Sequence, residues 1–329
     1  IGSPLSFLIK NKDWENWQEV MYAEKREGDS SDIVNIKKDG RLKEIKRVVS
    51  RPRPGHADLS GAIKYKTNDI RNILERASAR ETAARTAVGG ITDCFLKYFD
   101  IDIISHVTQI GEIVSEKTNV EFSELKKVVI DSPLHCYDKV KEREMMNYID
   151  RVKEEGDSLG GIIELRTTSL PVGLGSHTQW DRKLDALISQ ALISIPAIKA
   201  VEIGPAIKNA KSVGSKVHDE IFYSVDRGYY RQTNRAGGIE GGMSNGEPLI
   251  IRVAMKPIPT LYQPLKSVDI NSKESFKASV ERSDVTAVPA AGVVAESMLS
   301  FVIARALLDK FGGDSVDEIM SSYKAYINK

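Results

Sequence analysis

Residues 68–99 read NDIRNILERASARETAARTAVGGITDCFLKYF. Ile70, Ile73, Leu74, Ala77, Ala84, Val88, Ile91 and Phe95 recur at the three- and four-residue spacing of one helix face. Asn68 or Asp69 is suited to cap its start. The stretch is also rich in small residues, from Ala77, Ser78 and Ala79 to Gly89 and Gly90. Small residues let another backbone or a flat ligand approach closely, and tight helix packing alone explains them equally well. Outward from this segment the pattern predicts a helix over 142–155 stopped by Gly156, and another at about 182–194. A long apolar helix over about 290–311 follows Pro289, and a short helix closes the chain. Strands are expected at 4–10, at 160–175 running into a turn, at 248–255 and at 265–281. Helices and strands alternate irregularly, so the class is α+β or mixed α/β. No linker and no internal repeat divides the 329 residues.

Composition narrows the function. The formal net charge is +1, so no global field favours nucleic acid or an anionic membrane, and neither is expected as a partner. Anion recognition must come from local clusters of arginine. Cys94 and Cys136 lie far apart in sequence and form no CxxC pair, which fits two reduced thiols in a cytoplasmic protein. No window of about 18 apolar residues exists, so no membrane span is expected. The first residues, IGSPLSFLIKNKDW, lack the basic start of a signal peptide and read as a strand already in progress. Residues 24–47 are charged and weakly patterned, and a flexible surface segment is expected there.

Five segments carry chemistry. RPRPGHADLSGAIKY (51–65) sets Arg51, Arg53 and His56 on a loop whose two prolines and glycine limit its conformations. Arginine reads phosphate and carboxylate through paired donors, and histidine titrates near neutral pH. A solvated basic loop is the plainer alternative. Arg76 and Arg80 stand four apart on the expected helix, with Ser78 beside them and Arg85 a turn on. Glu75 and Glu81 are available to pair with them, and taken alone this is an ordinary salt-bridged face. GGIEGGMSNGEP (237–248) holds five glycines in twelve residues; its backbone N–H groups suit a phosphate, a plain hairpin loop is the alternative, and neither the P-loop nor the dinucleotide fingerprint matches. MKPIPTLYQP (255–264) holds Lys256 and Thr260 between prolines. ERSD (281–284) ends in Asp284, a base or a helix cap. His106, His135, His177 and His218 have no partner at metal-ligand spacing and read as structural or surface residues. Together the segments suit a buried site for a polyanionic small molecule, or two.

RPGHADL (53–59), LERASARETAAR (74–85), GGMSNGEP (241–248), MKPIPT (255–260) and ERSD (281–284) resemble the chorismate synthase family in order and spacing. GSHTQWDRKLDA (175–186) and VPAAGVV (288–294) fit as well. The resemblance runs over nearly the whole chain. It implies a β-α-β sandwich assembled as a homotetramer. It implies a 1,4-anti elimination of phosphate from 5-enolpyruvylshikimate 3-phosphate, giving chorismate, with reduced FMN (FMNH2) required but no net redox change. By the same resemblance His56 protonates the reduced flavin and Asp284 assists removal of the C6 hydrogen. Arg53 and Arg80 face the substrate's anionic groups. Arg76, Ala77, Ser78, Gly241, Lys256, Pro257, Ile258, Pro259, Thr260 and Arg282 contact FMN. Pro196 and Ala197 align with another flavin-contacting pair, although many members have Asn where this chain has Pro196.

The family's own pattern begins roughly 60 residues earlier, well short of a domain, with a GESHG-like motif and an arginine-rich stretch. The expectation is therefore a single domain over 1–329 that is incomplete at its N-terminus. The absent histidine and arginines would protonate the departing phosphate and bind substrate. The chain resembles the bacterial form, so an external source of reduced flavin is expected. A flavin reductase is the alternative enzyme, recognised by NAD(P)H consumption without added reductant. A non-catalytic phosphate-ligand protein is the other, recognised by FMN binding without turnover.

Overall fold

The computed structural model describes residues 2–18, 21, 33–38, 41–46, 48–115, 120–278 and 284–327. They fall into two compact units: 1–81 with 259–282, and 82–258 with 283–329.

In the first unit, residues 2–10 are exposed and form no strand. Their β-prone composition supplies propensity, but a strand exists only through its ladder, and none is made there. The charged stretch 24–47 lies partly outside the described residues. Inside it, Ile33–Lys38 and Arg41–Lys46 pair antiparallel, from Ile33↔Lys46 to Lys38↔Arg41. The proline loop then enters helix α1 (Asp58–Tyr65), where a loop was expected to continue to residue 65. Asp58 explains this entry: an acid in the first turn is favoured by the helix dipole, and its carboxylate takes an N–H from the loop.

The expected helix from Asn68 to Phe99 is broken. It consists of α2 (Arg71–Arg76), a 3-10 turn (Ala79–Glu81), α3 (Thr82–Leu96) and a final 3-10 turn (Lys97–Phe99). The break falls at Ala77–Ser78, where the Ser78 hydroxyl accepts from the backbone N–H of Arg80 at 3.4 Å. A serine that bonds the backbone locally competes with helix continuation. The N-cap is Ile70 rather than Asn68 or Asp69; Asp69 stands just before it and accepts from the N–H groups of Arg71 and Val49. The single strand expected over 265–281 is a hairpin of Lys266–Val268 and Ser275–Lys277. Asp269 makes the reversal by accepting from the N–H groups of Asn271 and Ser272, and Lys273 takes φ 65°.

The second unit is built on a five-stranded antiparallel sheet. Its strands are β1 (Ile103–Ile110), β2 (Ile113–Val114), β3 (Gly161–Ser169), β4 (Ile198–Ile203) and β5 (Pro248–Met255), in the order β2-β1-β3-β5-β4. Strand β1 is buried almost throughout, so it is covered on both faces. On one face lies α7 (Val288–Phe311), flanked by α3 and by α6 (Leu184–Ile193). Gly292 lets α7 sit close: a Cβ there would stand 2.6 Å from the Ser105 hydroxyl of β1. On the other face α4 (Phe122–Ile130) packs Leu125 and Val129 against Ile104. Helices α5 (Lys139–Glu155) and α8 (Val316–Ile327) complete the unit. Gly156 ends α5 at φ 73°, as the sequence indicates.

Helix α7 corrects the reading that no apolar window of about 18 residues exists. By length and mean hydropathy alone it could cross a membrane. Its most apolar window is 61% buried inside the unit, against α3, α6 and the sheet, so it is a core helix. Helices and antiparallel strands on this pattern give the α+β class.

Candidate active site

Segment 48–53 of the first unit is pinned from two sides. Ile70 N–H donates to Val49 O, and Ile270 N–H donates to Ser50 O. The Ser50 hydroxyl reaches Asp269 Oδ2 at 2.6 Å, and the Ser267 hydroxyl reaches Pro52 O at 2.5 Å. The stiffness expected from the prolines is thus reinforced by tertiary bonds. Arg51 turns away, towards Asp269 at 3.7 Å and over the Phe276 ring. Arg53 turns inward.

Arg53 and His56 meet on a residue that sequence reasoning passed over. Asp58 is fully buried. Its Oδ2 accepts from Arg53 N and from Arg53 Nε, both at 3.0 Å. Its Oδ1 stands 2.5 Å from His56 Nδ1. Arg53 Nη2 lies 3.2 Å from each ring nitrogen of His56. Gly55, at φ 79°, reverses the chain so that the three side chains converge. Burial alone would raise the Asp58 carboxyl, but the bonds from His56 and Arg53 outweigh it and hold it at about 2. The spacing H-A-D inside RPGHADL was the available signal.

The second arginine group lies apart from a shared helix face. Arg76 ends α2, whereas Arg80 sits in the 3-10 turn after the break. Arg80 Nη2 donates to Glu75 Oε2 at 2.6 Å, the pairing that Glu75 offered in sequence. Arg76 and Ala77 line a cavity of 640 Å3 with Ala57, Gly61, Lys64 and Ile73. This volume lies in the range of small-molecule sites, roughly 300–1,000 Å3. Its walls mix apolar and polar side chains, with the cations Lys64 and Arg76 and the carboxylate Asp69 among them. Pro259 and Thr260 also belong to the first unit, and both are half-buried. Arg282 lies outside the described residues.

The second unit holds the remaining candidates. Lys256 N–H donates to Ala197 O at 3.0 Å, so the Pro196–Ala197 pair and the start of the Lys-Pro-Ile run are joined through the backbone. A bulge between Ala254 and Met255 ends the β4–β5 ladder there, and Ala197 takes φ 68°, a left-handed conformation costly for a residue with a Cβ. Ile258 O accepts from the Ser158 hydroxyl at 2.7 Å, which fixes the far end of the run. Gly241 and Gly242, at φ 59° and 87°, form a two-residue turn between Ile239–Glu240 and Met243–Ser244. A Cβ on Gly241 would meet nothing within 4 Å, so this backbone is open to a ligand. Asp284 is exposed, just ahead of α7. The neighbouring Val285 O accepts from Leu159 N–H at 2.7 Å.

The sequence model of the chorismate synthase family matches residues 1–308, running through both units. The chain belongs to the chorismate synthase family. It is 54% identical over 329 residues to the chorismate synthase of Desulforamulus reducens, covering 100% of this chain and 80% of that one. To that of Brevibacillus brevis it is 52% identical over 331 residues, covering 100% and 82%. A chorismate synthase crystal structure superposes with a TM-score of 0.72 at 46% identity, covering 83% of this chain and 76% of the other. The fold is therefore the one that chorismate synthase adopts. The chain is a chorismate synthase by family, a carbon–oxygen lyase of the shikimate pathway. Membership implies 5-enolpyruvylshikimate 3-phosphate as substrate and a flavin as cofactor.

Proposed function

We propose that the flavin is reduced FMN and that phosphate leaves by 1,4-anti elimination without net redox change. The observation that supports this reading best is the Arg53–His56–Asp58 cluster, a titratable ring and a guanidinium fixed on one stiff loop. The chemistry that reduced FMN supplies when bound is a transient electron, returned before chorismate leaves. His56 is assigned proton transfer to the reduced flavin, and Asp284 the removal of the C6 hydrogen. Arg53 and Arg80 take the substrate's anionic groups. Arg80 must exchange its bond to Glu75 for that contact, and its half-exposed position makes the exchange inexpensive. Arg76, Ala77, Ser78, Pro196, Ala197, Gly241, Lys256, Pro257, Ile258, Pro259, Thr260 and Arg282 are assigned to the flavin. Paired donors of this kind are what burying a phosphate and a carboxylate demands, because unpaired buried charge is very costly.

We assign residues 1–329 to one catalytic domain, a cytoplasmic location, a homotetramer and an external source of reduced flavin. Two substitutions test the proton-transfer roles. His56→Ala and Asp284→Asn should each lower kcat by about 10²-fold or more, with KM changed far less. Wild-type rates in both variants would remove the assignments.

A further inference from the structure

The geometry points to Asp58 as a positioning residue: its buried carboxylate holds His56 with the proton on Nδ1 and leaves Nε2 as the atom that exchanges protons. This rests on the proton-transfer role assigned to His56 above. Asp58 is ionised, its carboxyl held at about 2, and an ionised carboxylate only accepts. The 2.5 Å contact between Oδ1 and Nδ1 therefore requires a hydrogen on Nδ1. Oδ2 is occupied by the two Arg53 donors, so Asp58 has no second geometry to offer the ring. Arg53 is a donor only. Its Nη2 lies 3.5 Å from Asp58 Oδ1 and 3.2 Å from both ring nitrogens, and with Nδ1 committed to Asp58, Nε2 is the ring nitrogen able to accept from it.

One carboxylate thus sets both the tautomer of the histidine and the direction of the arginine. Its own place is fixed by the first turn of α1 and by complete burial. Neither neighbour can rotate without breaking a bond to it. A histidine that must move a proton at one nitrogen gains from having the other locked.

The experiment combines histidine 15N NMR with a double-mutant cycle on the full chain. In the wild type, His56 should carry its proton on Nδ1. Asp58→Asn places an amide that can donate to Nδ1, so the Nε2–H tautomer should appear. With it kcat should fall by about 10²-fold or more while KM changes by about threefold or less. In a His56→Ala background the same substitution should cost little further, because Asp58 acts through His56. An equal loss in both backgrounds would make Asp58 merely structural and overturn the inference. A wild-type Asp58→Asn beside a slow His56→Ala would overturn it too. If His56→Ala itself turns over at the wild-type rate, the role of His56 falls, and the role of Asp58 with it. Should Asp58→Asn fail to fold, the wild-type spectrum decides: Nδ1–H supports the inference and Nε2–H contradicts it.

Discussion

Glu164 shows how single charges are managed in the sheet. It is fully buried in the middle of β3. Across the strands it stands opposite His106 on β1 and Arg252 on β5, and Arg252 stands opposite Glu202 on β4. Its oxygens take Arg166 Nε at 2.7 Å, Arg252 Nε at 2.8 Å and His106 Nε2 at 3.2 Å. Burial would raise its carboxyl, but the bond from His106 and the two arginine charges reverse this and hold it at about 2. Glu164→Gln leaves Arg166 and Arg252 without their shared anion, and should cost about 3 kcal/mol in urea denaturation near neutral pH. The pH dependence has a definite sign. A depressed carboxyl contributes stability above its unfolded value of 4.5, and that contribution is lost as pH falls through about 2. Stability of the wild type should therefore fall between about pH 5 and pH 2, and Glu164→Gln should flatten the fall. His106, expected to be a structural histidine, serves this row. The cysteines differ in the same residue-level way. Burial pushes the Cys136 thiol up to about 11, whereas Cys94 is exposed. A thiol reagent should modify Cys94 in the native protein and reach Cys136 only after unfolding.

At the scale of elements, α3 and α7 meet through one glycine. A Cβ on Gly89 would stand 2.2 Å from Ser297 Cβ and 2.5 Å from its Cα. Backbone at that distance cannot step aside, so Gly89→Ala should destabilise by about 1–3 kcal/mol, offset only in part by helix propensity. Gly90→Ala is the control: nothing lies within 4 Å, and it should stabilise by about 0.5–1 kcal/mol. Thermal unfolding of the two variants checks both signs. The same segment shows what was legible in the sequence. Apolar periodicity found the helical character of 68–99 but not its buried side: Ile70 is buried as the spacing predicts, whereas Ala84 and Ile91 are exposed and Gly89, Leu96 and Phe99 are buried in their place. It did not reveal the break at Ala77–Ser78, because a serine hydroxyl and two successive turns leave the spacing almost intact. Helices α5, α6 and α7 and strands β3 and β5 were readable, since each has a run long enough to fix its period and a clear stop. The hairpin over 266–277 was not, because its reversal depends on the Asp269 carboxylate rather than on glycine or proline. Arg53 and His56 stood out by type and by the stiffness of their loop, and Arg76 and Arg80 by their four-residue spacing. Asp58 did not, because its importance comes from complete burial between them, a property of the fold.

At the scale of the whole molecule, 47 basic side chains nearly balance 46 acidic ones. Anion binding therefore depends on where the cations are held. Arg53 is clamped by Asp58, Arg80 by Glu75, and Arg252 and Arg166 by Glu164. The last two serve the sheet, whereas the first two are assigned to substrate. Anaerobic turnover decides whether the chain catalyses the lyase reaction. The protein is mixed with reduced FMN and 5-enolpyruvylshikimate 3-phosphate, and chorismate and phosphate are assayed together. Equal release of both, with the flavin still reduced at the end, is the expected result. Chorismate formed only with stoichiometric flavin oxidation, or no product from a folded protein that binds neither ligand, would contradict the account.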